Sequence, residues 1–161
     1  MTGNTHKIIA LKAMDHFHLQ QKQRQGFLMG NVMADYLPIY NYRRHYPAKS
    51  MEYVLNMNQT IDSFFELGIL THFVSDFLCT PHFNNWKLYS PKGVKHLRFE
   101  KNLEKVAEEF DFLSVEINGS KCSCINDQVL DLYEQAGEDY DENIKSAYLA
   151  VCFMLESFVK V

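Results

Sequence analysis

The chain has 161 residues, of which 47% are hydrophobic and 14% are aromatic. This composition fits one domain with a sizeable core and excludes an intrinsically disordered protein. The formal net charge of −4 argues against a protein that coats nucleic acid or binds anionic membranes, because both classes usually carry an excess of Lys and Arg. No apolar run is long enough to cross a bilayer, and residues 1–6 lack the pattern of a secretion signal, so we expect a cytoplasmic protein.

Helical periodicity predicts an all-α fold in which residues 1–161 form one bundle of about five to seven helices. A cap at Asn4 or Thr5 precedes a first helix from His6 to about Gln20. A glycine near its start and a proline after its end mark Met29–Tyr36 as a short helix or an irregular segment. A polar and aromatic loop, Asn41–Pro47, follows.

The remaining elements are also predicted from apolar residues at helical spacing. A helix or a helix pair begins near Ser50 or Met51 and ends at Leu78. Further helices are predicted from Pro91–Val94 to Phe110, from Asp127 to about Gln135, and from Tyr140 or Glu142 to Val159, with a small hairpin or a plain loop at Val115–Ser120. The four cysteines, Cys79, Cys122, Cys124 and Cys152, form no zinc-binding pattern, so we expect reduced structural or surface thiols.

One stretch, Gly68–His82, combines a buried helix with potential metal ligands. His72 and Asp76 are four residues apart, so they lie one above the other on one face of the helix. Pro81 predicts that the helix ends near Thr80 and that His82 lies in the following loop, which can turn it back toward the helix. An imidazole and a carboxylate one turn apart can hold a divalent metal ion.

A second pair of residues has the same spacing. His96 and Glu100 are four residues apart in the next long helix, so two helices each offer one nitrogen and one oxygen ligand. Zinc is commonly bound by histidine nitrogen and carboxylate oxygen, and sites with two or three metal ions need carboxylates that can bridge. Upstream of these pairs, the further potential ligands are His6, Asp35 and His45.

The spacing from His72 onward, His-x3-Asp-x5-His-x13-His-x3-Glu, resembles that of the zinc-dependent phospholipase C family, the helical trinuclear enzymes of Gram-positive bacteria. It is also similar, more distantly, to the fungal single-strand nucleases that share that fold. Gly30–Tyr46 resembles the family segment that supplies an aspartate and then a histidine, although the distance between them is shorter here, and Thr5-His6 resembles the family's N-terminal histidine. The resemblance covers about residues 5–105 and implies a metal-dependent hydrolase of phosphodiester or phospholipid-like substrates.

The resemblance also implies a zinc site with two or three ions. The first ion would be bound by Asp35, His45, His72 and Asp76, the second by His6 and the bridging Asp76, and the third by His82, His96 and Glu100. Asp35 would be the catalytic residue, as the base for the attacking water or the group that orients it. In the secreted enzymes an N-terminal tryptophan completes the second site. Here a water, another side chain or the terminal amine near Met1 would substitute, or only two ions bind.

Two alternatives to a phospholipase C-like hydrolase stay open. A nuclease of the same fold is less favoured, because the chain is acidic and shows no evident basic stripe. A non-catalytic cytoplasmic relative would keep the metals for stability or would bind a phosphorylated ligand. Another helical class, the HD-type phosphohydrolases, needs an adjacent His-Asp doublet, and Asp15-His16 has the reverse order. Aromatic residues near the ligands could line a cleft suited to a choline-like group, namely Tyr36, Tyr40, Tyr42, Phe83, Trp86 and Tyr89.

Overall fold

A computed structural model describes residues 1–36, 45–57, 60–117, 125–134, 137 and 139–159 of the chain. These residues form α-helices and one 3-10 helix and contain no strand, which confirms the all-α prediction. In the described part of the chain the α-helices number eight, one more than the upper end of the prediction, and the four-residue α5 is the α-helix that the periodicity did not predict. The α-helices are α1 (Gly3–His16), α2 (Gln21–Met33), α3 (Pro47–Met57), α4 (Phe64–Phe77), α5 (Thr80–Phe83), α6 (Gly93–Glu109), α7 (Ile125–Glu134) and α8 (Tyr140–Val159).

Helix α4 lies at the centre of the fold, packed against α2, α3, α5 and α8. Every residue from Leu67 to Phe77 is buried. A helix that is covered on all sides must be apolar on most of its circumference, which is why this stretch reads as hydrophobic all round. The polar exceptions, among them His72 and Asp76, are therefore buried inside the protein, where they need partners. Within the described residues, no helix is both long enough and apolar enough to span a membrane.

Two glycines allow α2 and α4 to touch through their backbones. A Cβ atom on Gly30 would lie 1.9 Å from the carbonyl oxygen of Phe65, and a Cβ atom on Gly68 would lie 2.2 Å from that of Phe27. Neither distance leaves room for a side chain. The contact brings Asn31 of α2 against Thr71 and His72 of α4, where the Asn31 amide donates a hydrogen bond of 2.8 Å to the Thr71 hydroxyl.

The structure corrects the prediction for Met29–Tyr36. Residues 29–33 are the last part of a longer helix, α2, which begins at Gln21 after a capping box formed by Gln20 and Gln23, and residues 34–36 form the turn after it. The first turns of α2 contain mostly Gln, Lys and Arg, so they show no apolar periodicity. Gly30 does not start the helix but lies in its interior, where the contact with α4 requires a residue without a side chain.

The structure also corrects the element that carries His82. Helix α4 ends at Phe77, and a new one-turn helix, α5, begins at Thr80 with Pro81 in its first turn. Proline is tolerated there because the N–H that it lacks would have no partner within the helix. His82 therefore lies in a short helix and not in a loop. The α5 backbone is held by α8, since the Thr80 N–H donates to the Asn143 side chain at 2.7 Å.

The other boundaries agree more closely with the predictions. The predicted helix pair is present, with α3 beginning at Pro47 instead of Ser50 or Met51. Helix α1 begins at Gly3, because the Thr2 hydroxyl caps it in place of Asn4 or Thr5. A 3-10 helix at Phe112–Ser114 was not predicted, and residues 118–120 of the possible hairpin after it lie outside the described residues. Cys79 and Cys152 are free and buried, whereas Cys122 and Cys124 lie outside the described residues.

Candidate metal centre

The eight predicted ligands come from four helices and from segments beside two others, and the fold brings them into one region. Four of them lie on the helices that the sequence pattern had singled out, α4 and α6. The others are carried by α1, by α5, by the turn after α2 and by the residues just before α3. In chain order the eight residues are His6, Asp35, His45, His72, Asp76, His82, His96 and Glu100.

The first group of donor atoms is centred on His72. Its Nδ1 hydrogen bonds to the backbone carbonyl of Asn31 at 2.8 Å, which leaves Nε2 with its lone pair. This Nε2 is buried and has no hydrogen-bond partner. It lies 3.4 Å from the Asp35 carboxylate and 3.5 Å from the Asp76 carboxylate. Ligand atoms of Asp35, His45 and His72 lie within 4.8 Å of one another, as expected for donors to one ion.

A second group is formed by His6, His72 and Asp76, whose ligand atoms also lie within 4.8 Å of one another. His6 Nε2 is 3.1 Å from Oδ1 of Asp76, and its ring stacks on that of His72. The other carboxylate oxygen of Asp76, Oδ2, lies 2.5 Å from Nδ1 of His45. The two oxygens of Asp76 thus face two different sets of nitrogens.

The third group is His82, His96 and Glu100. Both imidazoles place Nε2 near Oε1 of Glu100, at 3.1 Å for His82 and 3.0 Å for His96. Their other ring nitrogens bond to backbone carbonyls, Nδ1 of His82 to His45 and Nδ1 of His96 to Trp86. Such a bond fixes the tautomer and the ring orientation, so that Nε2 is available as a ligand.

The amino group of Met1 lies between the second and third groups. It is fully buried and is 2.5 Å from Oδ1 of Asp76, 2.9 Å from Oε1 of Glu100 and 3.2 Å from Nε2 of His82. Burial alone would lower the pKa of this ammonium group, but the Asp76 and Glu100 carboxylates outweigh burial and hold its pKa well above the ordinary value. The ammonium group is therefore a positive charge between the two carboxylates.

The protonation states at neutral pH suit metal binding. Burial, together with the neighbouring His72, lowers the pKa of His6 to about 3, so His6 is a neutral donor. Burial would raise the pKa of Asp76 and Glu100, but the positive charges around them outweigh it and keep both ionised. For His45 and His96, burial opposes protonation, but hydrogen bonds to Asp76 and Glu100 raise the pKa of each ring. A cation entering the site would displace those protons.

A pocket of about 240 Å³ opens onto this region. Six of the eight predicted ligands line it, while His6 and His72 are buried behind the others. The most exposed lining residues, Asp35 and Leu88, mark its mouth. Tyr46 forms part of the wall, with its ring centroid 5.2 Å from that of His82.

No motif in the sequence points to Tyr46 or Leu88 as pocket residues, or to the carbonyls of Asn31, His45 and Trp86 that orient the imidazoles. Tyr46 follows His45 directly, which is the one signal that could have indicated it. Backbone carbonyls carry no signal, because every residue has one. Among the predicted aromatic residues, Trp86 is buried against Phe99, Phe83 packs against Tyr133, and Tyr36 and Tyr89 are exposed. Tyr40 and Tyr42 lie outside the described residues.

The donor set fits zinc. Nitrogen from neutral histidine and oxygen from ionised carboxylates are the ligands that zinc takes in catalytic sites, and the unpartnered Nε2 of His72 is a buried group that a metal ion would satisfy. A model of the zinc dependent phospholipase C family matches residues 5–152. The chain belongs to this family. Searches of curated proteins and of solved structures gave no significant match. Membership implies zinc and a hydrolase of phospholipid-like substrates, whereas the individual ligands stay predictions.

Proposed function

We propose that this member of the family hydrolyses phosphodiester bonds in phospholipid-like substrates at a centre of two or three zinc ions. One observation carries the proposal. Eight donors that are separated by up to 94 positions in the chain form three neighbouring groups around one pocket, and each group combines imidazole nitrogen with carboxylate oxygen. Histidines buried for packing alone would not be expected to form three groups that each contain a carboxylate and that lie together around one pocket open to solvent.

The three groups define how the ligands would be shared. Asp35, His45, His72 and Asp76 would hold the first ion, His6 and Asp76 the second, and His82, His96 and Glu100 the third. The Met1 amino group lies within 3 Å of Asp76 and Glu100, so in this chain it can add a nitrogen donor beside His6 once it loses its proton. Bound zinc supplies Lewis acidity for the phosphoryl oxygens and a water with a pKa lowered to ~7.

Asp35 is the residue that we propose as the base or the orienting group for the attacking water. It is the most exposed carboxylate of the set and lies at the mouth of the pocket, whereas Asp76 is buried. Burial would raise the pKa of Asp35, but the neighbouring His72, whose Nε2 lies 3.4 Å from the carboxylate, outweighs burial and lowers the pKa. The carboxylate is therefore ionised at neutral pH and can accept or orient a proton from water.

The proposal is tested by metal content and by hydrolysis of a chromogenic phosphodiester and of phosphatidylcholine. We expect zinc in the purified protein and turnover of both substrates, which chelation abolishes. Asp35→Asn should lower the rate by about 10²–10⁴-fold, the usual worth of a general base. Asp131→Asn, which makes the same change on the exposed face of α7, should leave the rate unchanged.

Two results would contradict the proposal. Zinc bound at full occupancy with no turnover on any phosphodiester would favour the non-catalytic relative that binds a phosphorylated ligand. Cleavage of single-stranded nucleic acid, with no cleavage of phospholipid, would favour the nuclease of the same fold.

A further inference from the structure

A surface beside the mouth of the pocket combines exposed apolar and basic side chains. It consists of Leu88, Val94 and Leu97 together with Lys87, Lys92 and Arg98, and we call it the basic–apolar surface. The apolar members are 37%, 77% and 58% exposed, respectively, and all three basic members are exposed as well. Tyr89, at the tip of the same loop, is 96% exposed. Large apolar side chains clustered outside the core mark interaction sites more often than isolated ones do.

The segment that carries this surface has a local excess of positive charge. Residues 84–99 contain four basic side chains and no carboxylate, although the whole chain has a formal net charge of −4. The rest of the chain therefore carries a formal net charge of −8. The overall charge, which argues against an anionic partner, conceals a local positive patch, and local charge determines how a protein orients on a charged surface.

The surface is held in place by the fold. Gly93 approaches the backbone of Leu88 so closely that a Cβ atom on Gly93 would lie 2.0 Å from the Leu88 carbonyl oxygen. The ammonium group of Lys95 lies 4.0 Å from the ring centroid of the buried Trp86. These contacts fasten the loop before α6 to the first turn of that helix, so that Leu88 and Lys92 are presented together.

The surface is also connected to the pocket. Leu88 belongs to both, since it is one of the two exposed residues at the pocket mouth. On α6, His96 and Glu100 face the pocket, while Val94 and Arg98 lie on the opposite side of the same helix. Leu88 is therefore the point at which the basic–apolar surface reaches the pocket opening, and a partner bound there would lie next to it.

We infer that the basic–apolar surface docks the protein on an anionic phospholipid bilayer. Lys and Arg would lie against the phosphate and carboxylate groups of the lipid heads, and the leucines and valine would enter the boundary between head groups and acyl chains. This inference rests on the proposed function, because it identifies bilayer lipid as the source of the substrate. Its test measures binding alone and does not depend on turnover.

The experiment is co-sedimentation of the full chain with vesicles of phosphatidylcholine alone and of phosphatidylcholine mixed with phosphatidylserine. We expect the protein to sediment with the mixed vesicles and to be released by high salt. Leu97→Ser with Arg98→Gln should weaken binding by more than about five-fold, the worth of one basic side chain at an anionic surface. Leu113→Ser with Lys145→Gln removes one exposed leucine and one exposed charge elsewhere, and should bind like the parent.

Metal content and melting temperature show whether each double variant is folded. If Leu97→Ser with Arg98→Gln unfolds, Lys92→Gln replaces it, because Lys92 is exposed in the loop and its loss should give the same five-fold weakening. No binding to mixed vesicles, or equal loss in the control variant, would overturn the inference. The inference would also be overturned if the protein bound single-stranded DNA but did not bind vesicles. Vesicle binding by a protein that cleaves no soluble phosphodiester would refute the proposed function and leave the docking surface intact.

Discussion

The close contact between α2 and α4 predicts opposite effects for two Gly→Ala substitutions on the same helix. Gly26 and Gly30 both lie in the interior of α2, and neither has a positive φ. A Cβ atom on Gly30 would lie 1.9 Å from the Phe65 carbonyl oxygen, whereas one on Gly26 would make an ordinary contact of 3.4 Å with Phe64. Both substitutions gain the same helix propensity, so the difference between them measures the contact.

The magnitudes follow from these distances. Alanine gains ~1 kcal/mol over glycine in a helix interior. Gly26→Ala should therefore stabilise the protein by about 1 kcal/mol and raise the melting temperature by about 2–4 °C. In Gly30→Ala the backbones of α2 and α4 must move apart by roughly 1 Å or more. The loss of folding free energy should therefore reach the upper end of the usual 1–3 kcal/mol for overpacking. The net loss of ~2 kcal/mol should lower the melting temperature by about 4–8 °C.

The same separation should weaken zinc binding. It moves the Asn31 carbonyl away from Nδ1 of His72, the bond that orients the imidazole. Loss of such an outer partner usually costs about 10–100-fold in metal affinity. Calorimetry and zinc titration of the two variants check both effects. If Gly30→Ala were as stable as Gly26→Ala and bound zinc like the parent, the reasoning from the helix contact would be refuted.

Three further predictions follow from the site. His96→Ala should lose about one zinc ion per chain, while His16→Ala, on the exposed end of α1, should keep the parent's content by elemental analysis. The metal-free protein should lose thermal stability as the pH falls from 6.5 toward 3. In this range His6 is protonated in the unfolded chain but stays neutral in the folded protein, where its pKa is about 3. His6→Gln should therefore make the stability depend less on pH. Constant stability across this range would contradict the burial argument. Asn143→Ala should lower the free energy of unfolding, measured by urea denaturation, by about 1–3 kcal/mol, because the Thr80 N–H of α5 loses its hydrogen-bond partner. An unchanged urea midpoint would show that this bond does not hold α5.

The sequence predicted the site best where the chemistry is local. The His72/Asp76 and His96/Glu100 pairs are one helical turn apart, so the helix itself brings their members together. His6, Asp35 and His45 have no local relation to those pairs. The resemblance to the family identified them as candidates, and only the packing of α2 and α3 on α4, and of α1 on α2, α6 and α8, shows that they reach the same region.

The sequence predicted the fold less well where tertiary contacts decide. Gly30 looks like a helix start in the sequence, but it is a contact point between two helices, and the Gln-rich first turns of α2 hide the helix from any apolar pattern. Pro81 was expected to end a helix and also starts one, because the first turn tolerates it. Net charge averaged over the chain concealed the positive patch at residues 84–99, since averaging discards position.

The most direct test of the central claim is anomalous diffraction at the zinc absorption edge from crystals of the purified protein. We expect two or three zinc peaks at the site, with one peak between His82, His96 and Glu100 and another beside His72 and Asp35. A map with no zinc peak there, or with zinc bound only at other places on the chain, would contradict it.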